Sequence, residues 1–166
     1  MRVLVVYASK RGGTAGLARM IGDEFVRAGY VVDVRPAPQV GSVADADAVV
    51  IAGALYAFRW HRDARHFAKR FADQLRARPV WLVASGPLDD SAVTGELEPV
   101  RQVAAVMERL GARGQVTFGG RLEPDAKGFP ARAMAKKSAG DWRDPDHVHR
   151  WVTSVVDALA PRQRAA

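Results

Sequence analysis

Apolar residues in this chain occur in five short runs, most of them followed by a segment with the period of an amphipathic helix. The first run, residues 2–7, is β-branched and almost unbroken, which is typical of a strand buried on both faces. After residue 14 the period changes, because Leu17, Ile21 and Phe25 fall on one face of a helix that Gly29 ends. Strands that alternate with helices through short turns indicate a three-layer α/β fold, a doubly wound five-stranded parallel sheet with helices on both faces. The predicted strands are 2–7, 30–35, 48–53, 79–85 and 115–119, and the predicted helices are 15–28, 62–77, 99–110 and 145–159.

A polar loop joins the first strand to the first helix. It consists of Ser9, Lys10, Arg11, Gly12, Gly13 and Thr14. A turn rich in hydroxyls and glycine between a strand and a helix presents backbone N–H groups and the positive end of the helix dipole to an anion. The chain has neither the Gly-Lys-Ser/Thr sequence of nucleotide-triphosphate loops nor a Gly-x-Gly-x-x-Gly fingerprint. We therefore predict a phosphate site at the carboxyl end of the first strand, with an ordinary glycine turn as the alternative.

Three further loops leave the predicted sheet at the same edge, after the third, fourth and fifth strands. An aromatic-rich segment, residues 54–61, follows the third strand, and a polar segment that begins at Ser85 follows the fourth. Parallel sheets bind ligands beyond the carboxyl ends of their strands, at the switch point in strand order. We expect these loops to line the same site as the loop after the first strand.

The composition excludes several kinds of chemistry. The chain has 166 residues and no cysteine, which excludes disulfides, thiolate metal sites, iron–sulfur clusters and cysteine nucleophiles, so redox chemistry would need a bound cofactor. The formal net charge is +7 and the pI is about 10.4, but the lysines and arginines are scattered and no nucleic-acid-binding motif is present, so no nucleic-acid partner is predicted. The charge predicts either a functional basic rim or solvated helix faces. The chain shows neither a signal peptide nor a run long enough to span a membrane, so a cytoplasmic location is expected.

The histidines give weaker signals. His61 and His66 are five residues apart, and His147 and His149 are two apart. Neither spacing brings two imidazoles to one helix face, so no metal site is predicted. His61 and Arg59 are the candidate catalytic residues, for contact with an acidic substrate or for proton transfer, and a surface histidine without such a role is the alternative.

The loop after the first strand resembles the Ser/Thr-x-Thr-Gly-x-Thr phosphate loop of flavodoxins, which holds the 5′-phosphate of FMN through hydroxyls and backbone amides. Ser9, Gly12 and Thr14 match that pattern, and Arg11 stands where flavodoxins usually have a threonine. This replacement exchanges a hydroxyl for a positive charge that can pair with phosphate. The resemblance implies a flavodoxin-like fold over residues 1–160, with sheet order 2-1-3-4-5 and FMN as the cofactor.

A more specific resemblance is to the flavodoxin-type, menaquinone-dependent protoporphyrinogen IX dehydrogenases. The stretch GALYAFRWHRDARHFAKRF, residues 53–71, resembles the loop and helix after their third strand, and residues 118–122 resemble the exit of their fifth strand. Members of that group carry an insert before the last helix, near the oxidant or substrate. Residues 121–144 occupy that place in this chain and are shorter and less aromatic. The closest matching positions are Gly53, Ala54, Phe67, Lys69 and Arg70.

The resemblance implies a set of FMN-binding residues. The loop after the first strand would hold the phosphate, and the loops after the third and fourth strands would line the two sides of the isoalloxazine ring. Tyr56 and Trp60 are the nearest aromatic side chains for contact with the ring, and cover for the next helix is their alternative role. The implied cofactor-binding residues are Ser9, Lys10, Arg11, Gly12, Gly13, Thr14, Gly53, Ala54, Leu55, Tyr56, Trp60, Ser85, Gly86 and Pro87.

Together these features predict an FMN-dependent oxidoreductase that acts on a small organic substrate, with protoporphyrinogen IX as the leading donor and a quinone as the leading acceptor. Two alternatives stay open: a flavodoxin that carries single electrons between proteins, and a flavin-free flavodoxin-like scaffold. Flavodoxins are generally acidic, so the positive charge of this chain counts against the carrier. Peripheral membrane contact through residues 121–144 and a homodimer are further partner hypotheses, and residues 161–166 are expected to form a disordered tail.

Overall fold

A computed structural model describes residues 1–10, 12–86, 91–95, 97–122 and 140–161 of the chain. The strands in these ranges are β1 (Arg2–Ala8), β2 (Val31–Pro36), β3 (Ala48–Tyr56), β4 (Arg59–Trp60), β5 (Val80–Ser85), β6 (Gly114–Phe118), β7 (Arg121–Leu122) and β8 (Gly140–Asp141). The helices are α1 (Gly13–Arg27), α2 (Arg62–Arg70), α3 (Ala72–Arg76), α4 (Ser91–Thr94), α5 (Arg101–Leu110) and α6 (Pro145–Leu159), and a 3₁₀ turn covers Ala37–Gln39. The predicted tail beyond residue 161 lies outside the described residues.

The central sheet is parallel, with its principal strands in the order β2-β1-β3-β5-β6. Numbered as principal strands alone, this order is 2-1-3-4-5, so the predicted fold class and strand order are confirmed. β4 pairs antiparallel with β3, and β7 and β8 form a separate antiparallel ribbon. At the carboxyl edge, Ala8 of β1 lies opposite Gly53 of β3, so the loops that follow β1 and β3 begin side by side.

Alternate residues of the strands face two separate cores. In β1, Val3 and Val5 pack with α1 and α6, whereas Leu4 and Val6 pack with α2, α3 and α5. All four side chains are almost fully buried. A strand of this kind needs a helical layer on each side. The crossovers that supply these layers bring the polar loops to the carboxyl edge of the sheet.

The helix predicted over residues 62–77 is interrupted at Phe71, which has φ −106° and ψ 19°. Backbone hydrogen bonds continue across the break, from the Phe71 N–H to Phe67 O and from the Leu75 N–H to Phe71 O. The Phe67 and Phe71 rings pack with their centroids 5.0 Å apart. Phe67, Phe71 and Leu75 are all buried. α2 and α3 together therefore bury the apolar face that the sequence pattern predicts for a single helix.

The third strand is longer than predicted, and after it the chain turns back to form β4, which pairs with the end of β3. β3 continues to Tyr56, which pairs with Arg59 of β4. The two turn residues, Ala57 and Phe58, have φ values of 45° and 60°. Tight two-residue hairpin turns of this left-handed kind usually contain asparagine or glycine, so the residue types at these positions do not predict the hairpin.

Trp60 anchors this hairpin to the sheet. Its side chain is fully buried, and its Nε1–H donates a hydrogen bond to Val83 O at 3.1 Å. Its backbone N–H donates to Gln102 Oε1 at 2.7 Å. The indole lies so close to Gly53 that a Cβ at this position would overlap it. The position of the hairpin therefore depends on a glycine at residue 53.

Gly53→Ala is expected to destabilise the protein by about 1–3 kcal/mol, because the new methyl group overlaps a buried, hydrogen-bonded indole. Urea unfolding measures this change. Gly41→Ala is the matched control, since a Cβ at Gly41 meets nothing within 4 Å. The control should alter the free energy of unfolding by less than about 1 kcal/mol. Equal losses of stability in the two variants would contradict the packing described for Trp60.

Candidate functional site

The loop after β1 turns into α1 at Gly12, whose φ of +80° favours glycine. The Gly12 N–H donates to Ser9 Oγ at 3.1 Å, and the Gly12 carbonyl accepts from the Gly16 N–H at 3.0 Å. Within the described residues no side chain caps α1, and the N–H groups of the first turn of any helix have no acceptor within the helix itself. Open N–H groups at the start of a 15-residue helix make a site for an anion.

The predicted phosphate-loop residues lie together at this point. The structure places between the end of β1 and the first turn of α1 the residues Ser9, Lys10, Gly12, Gly13 and Thr14. Thr14 is 2% exposed and is thus part of the packed base of the loop. Arg11 lies outside the described residues, and its role stays a prediction.

Arg143 reaches this loop from the far end of the predicted insert. Its Nη1 donates to Gly13 O at 3.3 Å, and its Nη2 lies 2.6 Å from Asp141 Oδ2 in an ion pair. Hydrogen bonds from Arg143 lower the pKa of the Asp141 carboxyl below its ordinary value. The guanidinium also lies against Gly16, where a Cβ would overlap it. Glycine at position 16 therefore leaves the space that the Arg143 guanidinium occupies.

The other end of the insert touches the same turn. A Cβ on Gly13 would lie 3.4 Å from Arg121 O, and Arg121 pairs with Asp141 across β7 and β8. Both ends of the insert thus pack on the loop after β1. The residue pattern does not assign Arg121 or Arg143 to the site, because Gly13 and Arg143 are 130 positions apart and no periodicity links them. Residues 123–139 lie outside the described residues.

Positive charge gathers around the loop. The N-terminus of α1 carries the positive end of the helix dipole, and Lys10, Arg121 and Arg143 add full charges near it. Cations beside a helix N-terminus repel the dipole, and the Asp141 carboxylate, which is paired with Arg143 and also attracted by Arg121, offsets part of this repulsion. A bound dianion such as a phosphate monoester would be attracted by the dipole and by the cations together.

The exits of β3, β5 and β6 meet at the same edge of the sheet. The Gly86 N–H donates to Phe118 O at 3.2 Å, and a Cβ on Gly86 would lie 2.7 Å from Leu55 Cβ. A Cβ on Gly120 would lie 3.2 Å from Gly86 O. Glycine at these positions lets three chain segments approach closely.

Most residues predicted to line the isoalloxazine ring lie at this edge of the sheet. Those at the end of β3 are Gly53, Ala54, Leu55 and Tyr56, and those at the end of β5 are Ser85 and Gly86. Ala54 and Ser85 are opposite each other in the sheet, and Tyr56 is half-buried. Pro87 lies outside the described residues.

Trp60 corrects the prediction for the aromatic pair. Its indole is 0% exposed and packs in the core between the sheet and α2, with its N–H bonded to Val83. A ring enclosed in this way has no face to offer a bound cofactor. Trp60 has the alternative role, as hydrophobic cover for the following helix, because the hairpin turns its side chain back toward the sheet.

Trp142 is an aromatic residue at the rim that the residue pattern does not assign to the site. Its backbone N–H donates to Gly120 O at 2.8 Å, and its backbone carbonyl lies where a Cβ on Gly119 would be. The residue is 37% exposed. The available signal is an aromatic residue directly before Arg143, but only the return of the insert to β6 places it beside the site.

His61 caps the N-terminus of α2. Its backbone N–H donates to Ala54 O at 2.9 Å, and its ring Nδ1 accepts the backbone N–H of Asp63 at 3.1 Å. Burial lowers the pKa of His61, the Asp63 carboxylate opposes this, and the charge of Lys10 lowers it further. The lowered pKa favours the neutral form of the ring. Arg59, the other candidate for substrate contact, is exposed on β4.

The described part of the chain holds no group of three or more histidine, aspartate or glutamate side chains placed for a metal ion. None of the described helices combines the length and the apolar character that a membrane span requires.

Comparison with known proteins identifies the family. A family model described as flavodoxin domain matches residues 4–143, which is most of the chain. No curated protein matches. A short-chain flavodoxin associated with a non-canonical PDU bacterial microcompartment has a TM-score of 0.62 and 17% identity, and the match covers 96% of this chain and 99% of that one.

Two other solved structures share the fold. A flavodoxin from Streptococcus pneumonia TIGR4 has a TM-score of 0.64 and 17% identity, covering 95% of this chain and 99% of that one. The rubredoxin oxygen:oxidoreductase of Desulfovibrio gigas has a TM-score of 0.56 and 12% identity, covering 93% of this chain but 37% of that one. This chain belongs to the flavodoxin domain family, and its cofactor is FMN.

Proposed function

We propose that this protein is an FMN-dependent oxidoreductase that takes electrons from a small anionic organic donor. Protoporphyrinogen IX is the leading candidate donor, and a quinone is the leading acceptor. The observation that carries the proposal is the exposed tip of the β3–β4 hairpin, where the exposed Phe58 is followed directly by the exposed Arg59, beyond the carboxyl edge of the central sheet.

The residues present fit FMN. The open first turn of α1, with Ser9, Lys10 and Thr14, would hold the phosphate, and the segments 54–56 and 85–86 would flank the ring. Bound FMN supplies one-electron and two-electron transfer. The chain itself binds the phosphate, orients the ring and sets the charge around it.

The hairpin tip suits a donor with an apolar body and carboxylates. Phe58 is 87% exposed, and its φ of 60° is unfavourable for a residue other than glycine. Strained backbone of this kind clusters at functional sites. Arg59 and Arg62 are exposed on the segment that follows. A porphyrinogen could contact Phe58 with its apolar body while its propionates meet the arginines.

A single-electron carrier between partner proteins is the second candidate. It is favoured by the match to flavodoxins along 99% of their chains. The net charge of +7 counts against it, since flavodoxins of that kind are generally acidic. A flavin-free scaffold is disfavoured, because FMN is the cofactor of the family.

A turnover assay separates the two candidates. We expect the FMN-loaded protein to convert protoporphyrinogen IX to the fluorescent porphyrin under anaerobic conditions, with reduction of an added quinone in the same reaction. Protein that is fully loaded with FMN, does not turn over this donor and exchanges electrons rapidly with a flavodoxin reductase would overturn the proposal in favour of the carrier.

Arg59→Glu is expected to raise KM for the anionic donor about tenfold with little change in kcat, because a surface charge interaction of about 0.5–1 kcal/mol changes sign. Steady-state kinetics measure this effect. Arg109→Glu makes the same charge change on an exposed residue in the last turn of α5, at the opposite edge of the sheet. Equal KM values in the two variants would show that net charge alone, and not the hairpin, attracts the donor.

Gly12→Ala is expected to weaken FMN binding at least about tenfold, because a side chain at positive φ strains the turn that presents the N–H groups. Gly29→Ala is a matched control. Gly29 has a φ of +89°, and a Cβ meets nothing within 4 Å at either position, but Gly29 follows the far end of α1. Flavin fluorescence quenching gives the two Kd values. If both variants lost FMN equally, general destabilisation would explain the loss and the loop assignment would fail.

A further inference from the structure

We propose that His61 is a phosphate-binding residue of the FMN site, with its Nε2–H donating a hydrogen bond to a phosphate oxygen. The inference rests on FMN occupying the loop after β1. It adds to that loop a donor from a different element, the N-terminus of α2.

The sheet register places His61 beside the phosphate loop. Ala8 at the end of β1 lies opposite Gly53 of β3, so the loop that starts at Ser9 begins next to Ala54. The backbone N–H of His61 donates to Ala54 O at 2.9 Å. The hairpin thus returns the chain to the level at which β1 ends, and His61 is the first residue after it.

The hydrogen bonds of His61 fix which ring nitrogen carries the proton. Nδ1 accepts the backbone N–H of Asp63 at 3.1 Å, so Nδ1 holds no proton. In a neutral imidazole the proton then lies on Nε2, which can only donate. Within the described structure Nε2 is buried and has no hydrogen-bond partner. A buried donor without an acceptor is costly, and a ligand oxygen would satisfy it.

The surroundings of His61 favour an anionic acceptor. The groups whose charges act on its ring are Lys10 of the phosphate loop and Asp63, Arg62 and Arg65 of α2. Three of these four are cations, and α2 adds the positive end of its dipole. An anion at this point would be attracted by the three cations and the dipole, against repulsion from Asp63 alone among the four, and would accept the Nε2–H.

The position of His61 is also rigid. The preceding residue, Trp60, is held through its N–H by Gln102 and through its indole by Val83. Arg65 Nε donates to Trp60 O at 3.2 Å, which ties the first turn of α2 to the same residue. A donor held in this way loses little freedom when its acceptor arrives.

His61→Asn tests the inference, because asparagine can still accept the Asp63 N–H as a helix cap but has no donor that reaches as far as Nε2. We expect the variant to bind FMN about tenfold more weakly than wild type, since a hydrogen bond to an ionised group is lost. Its affinity for riboflavin, which has no phosphate, should be unchanged. His66→Asn, an exposed histidine on the same helix, is the control and should bind both flavins as wild type does.

Nuclear magnetic resonance gives a second, independent measurement. In ¹⁵N-labelled protein, FMN should bring the His61 Nε2–H signal into slow exchange and raise the pKa of the ring, whereas riboflavin should do neither. An unchanged FMN affinity in His61→Asn, equal losses for FMN and riboflavin, or an Nδ1-protonated ring would each overturn the inference. Failure of wild-type protein to bind FMN would overturn the cofactor assignment as well, whereas FMN binding without donor turnover would leave His61 unaffected.

Discussion

Burial of β1 on both faces is the constraint on which the rest of the structure depends. Val3 and Val5 must be covered by α1 and α6, and Leu4 and Val6 by the helices on the other side. A chain can provide both layers only by crossing over the sheet between parallel strands. Every such crossover leaves its strand at the same edge, so the loops that carry polar residues are collected at one place. The cofactor site is a consequence of how the core is covered.

Electrostatics then decides what that edge can hold. The first turn of α1 begins with a glycine that offers no cap, and cations reach it from three parts of the chain: Lys10 from the loop itself, and Arg121 and Arg143 from the two ends of the insert. These charges repel the helix dipole when no anion is present. Asp141 compensates part of this charge, and the positive potential that remains would attract the dianionic phosphate of FMN.

The β3–β4 hairpin connects the hydrophobic core to the carboxyl edge of the central sheet. Trp60 is held inside the core by Val83 and Gln102, while Phe58, two residues earlier, is almost fully exposed. The strained turn between the two sides of the hairpin can persist because its anchor is buried. The same anchor fixes the start of α2, and with it His61. One well-packed tryptophan thus positions both the surface proposed to meet the donor and the histidine proposed to meet the phosphate.

The sequence by itself determined the layers of the fold, the strand order through its resemblance to flavodoxins, and the loop at Gly12. These are local properties, since apolar period and glycine spacing can be recognised within a few residues. Only the tertiary structure decided that Trp60 faces the core and that Trp142 and Arg143 lie at the rim. The direction of the Trp60 side chain is set by a turn at Ala57 whose residue type does not encode it, and Arg143 meets Gly13 only after 130 positions of chain have folded between them. Contacts that distant have no periodic signal, because they arise from the register of the whole sheet and not from any one segment.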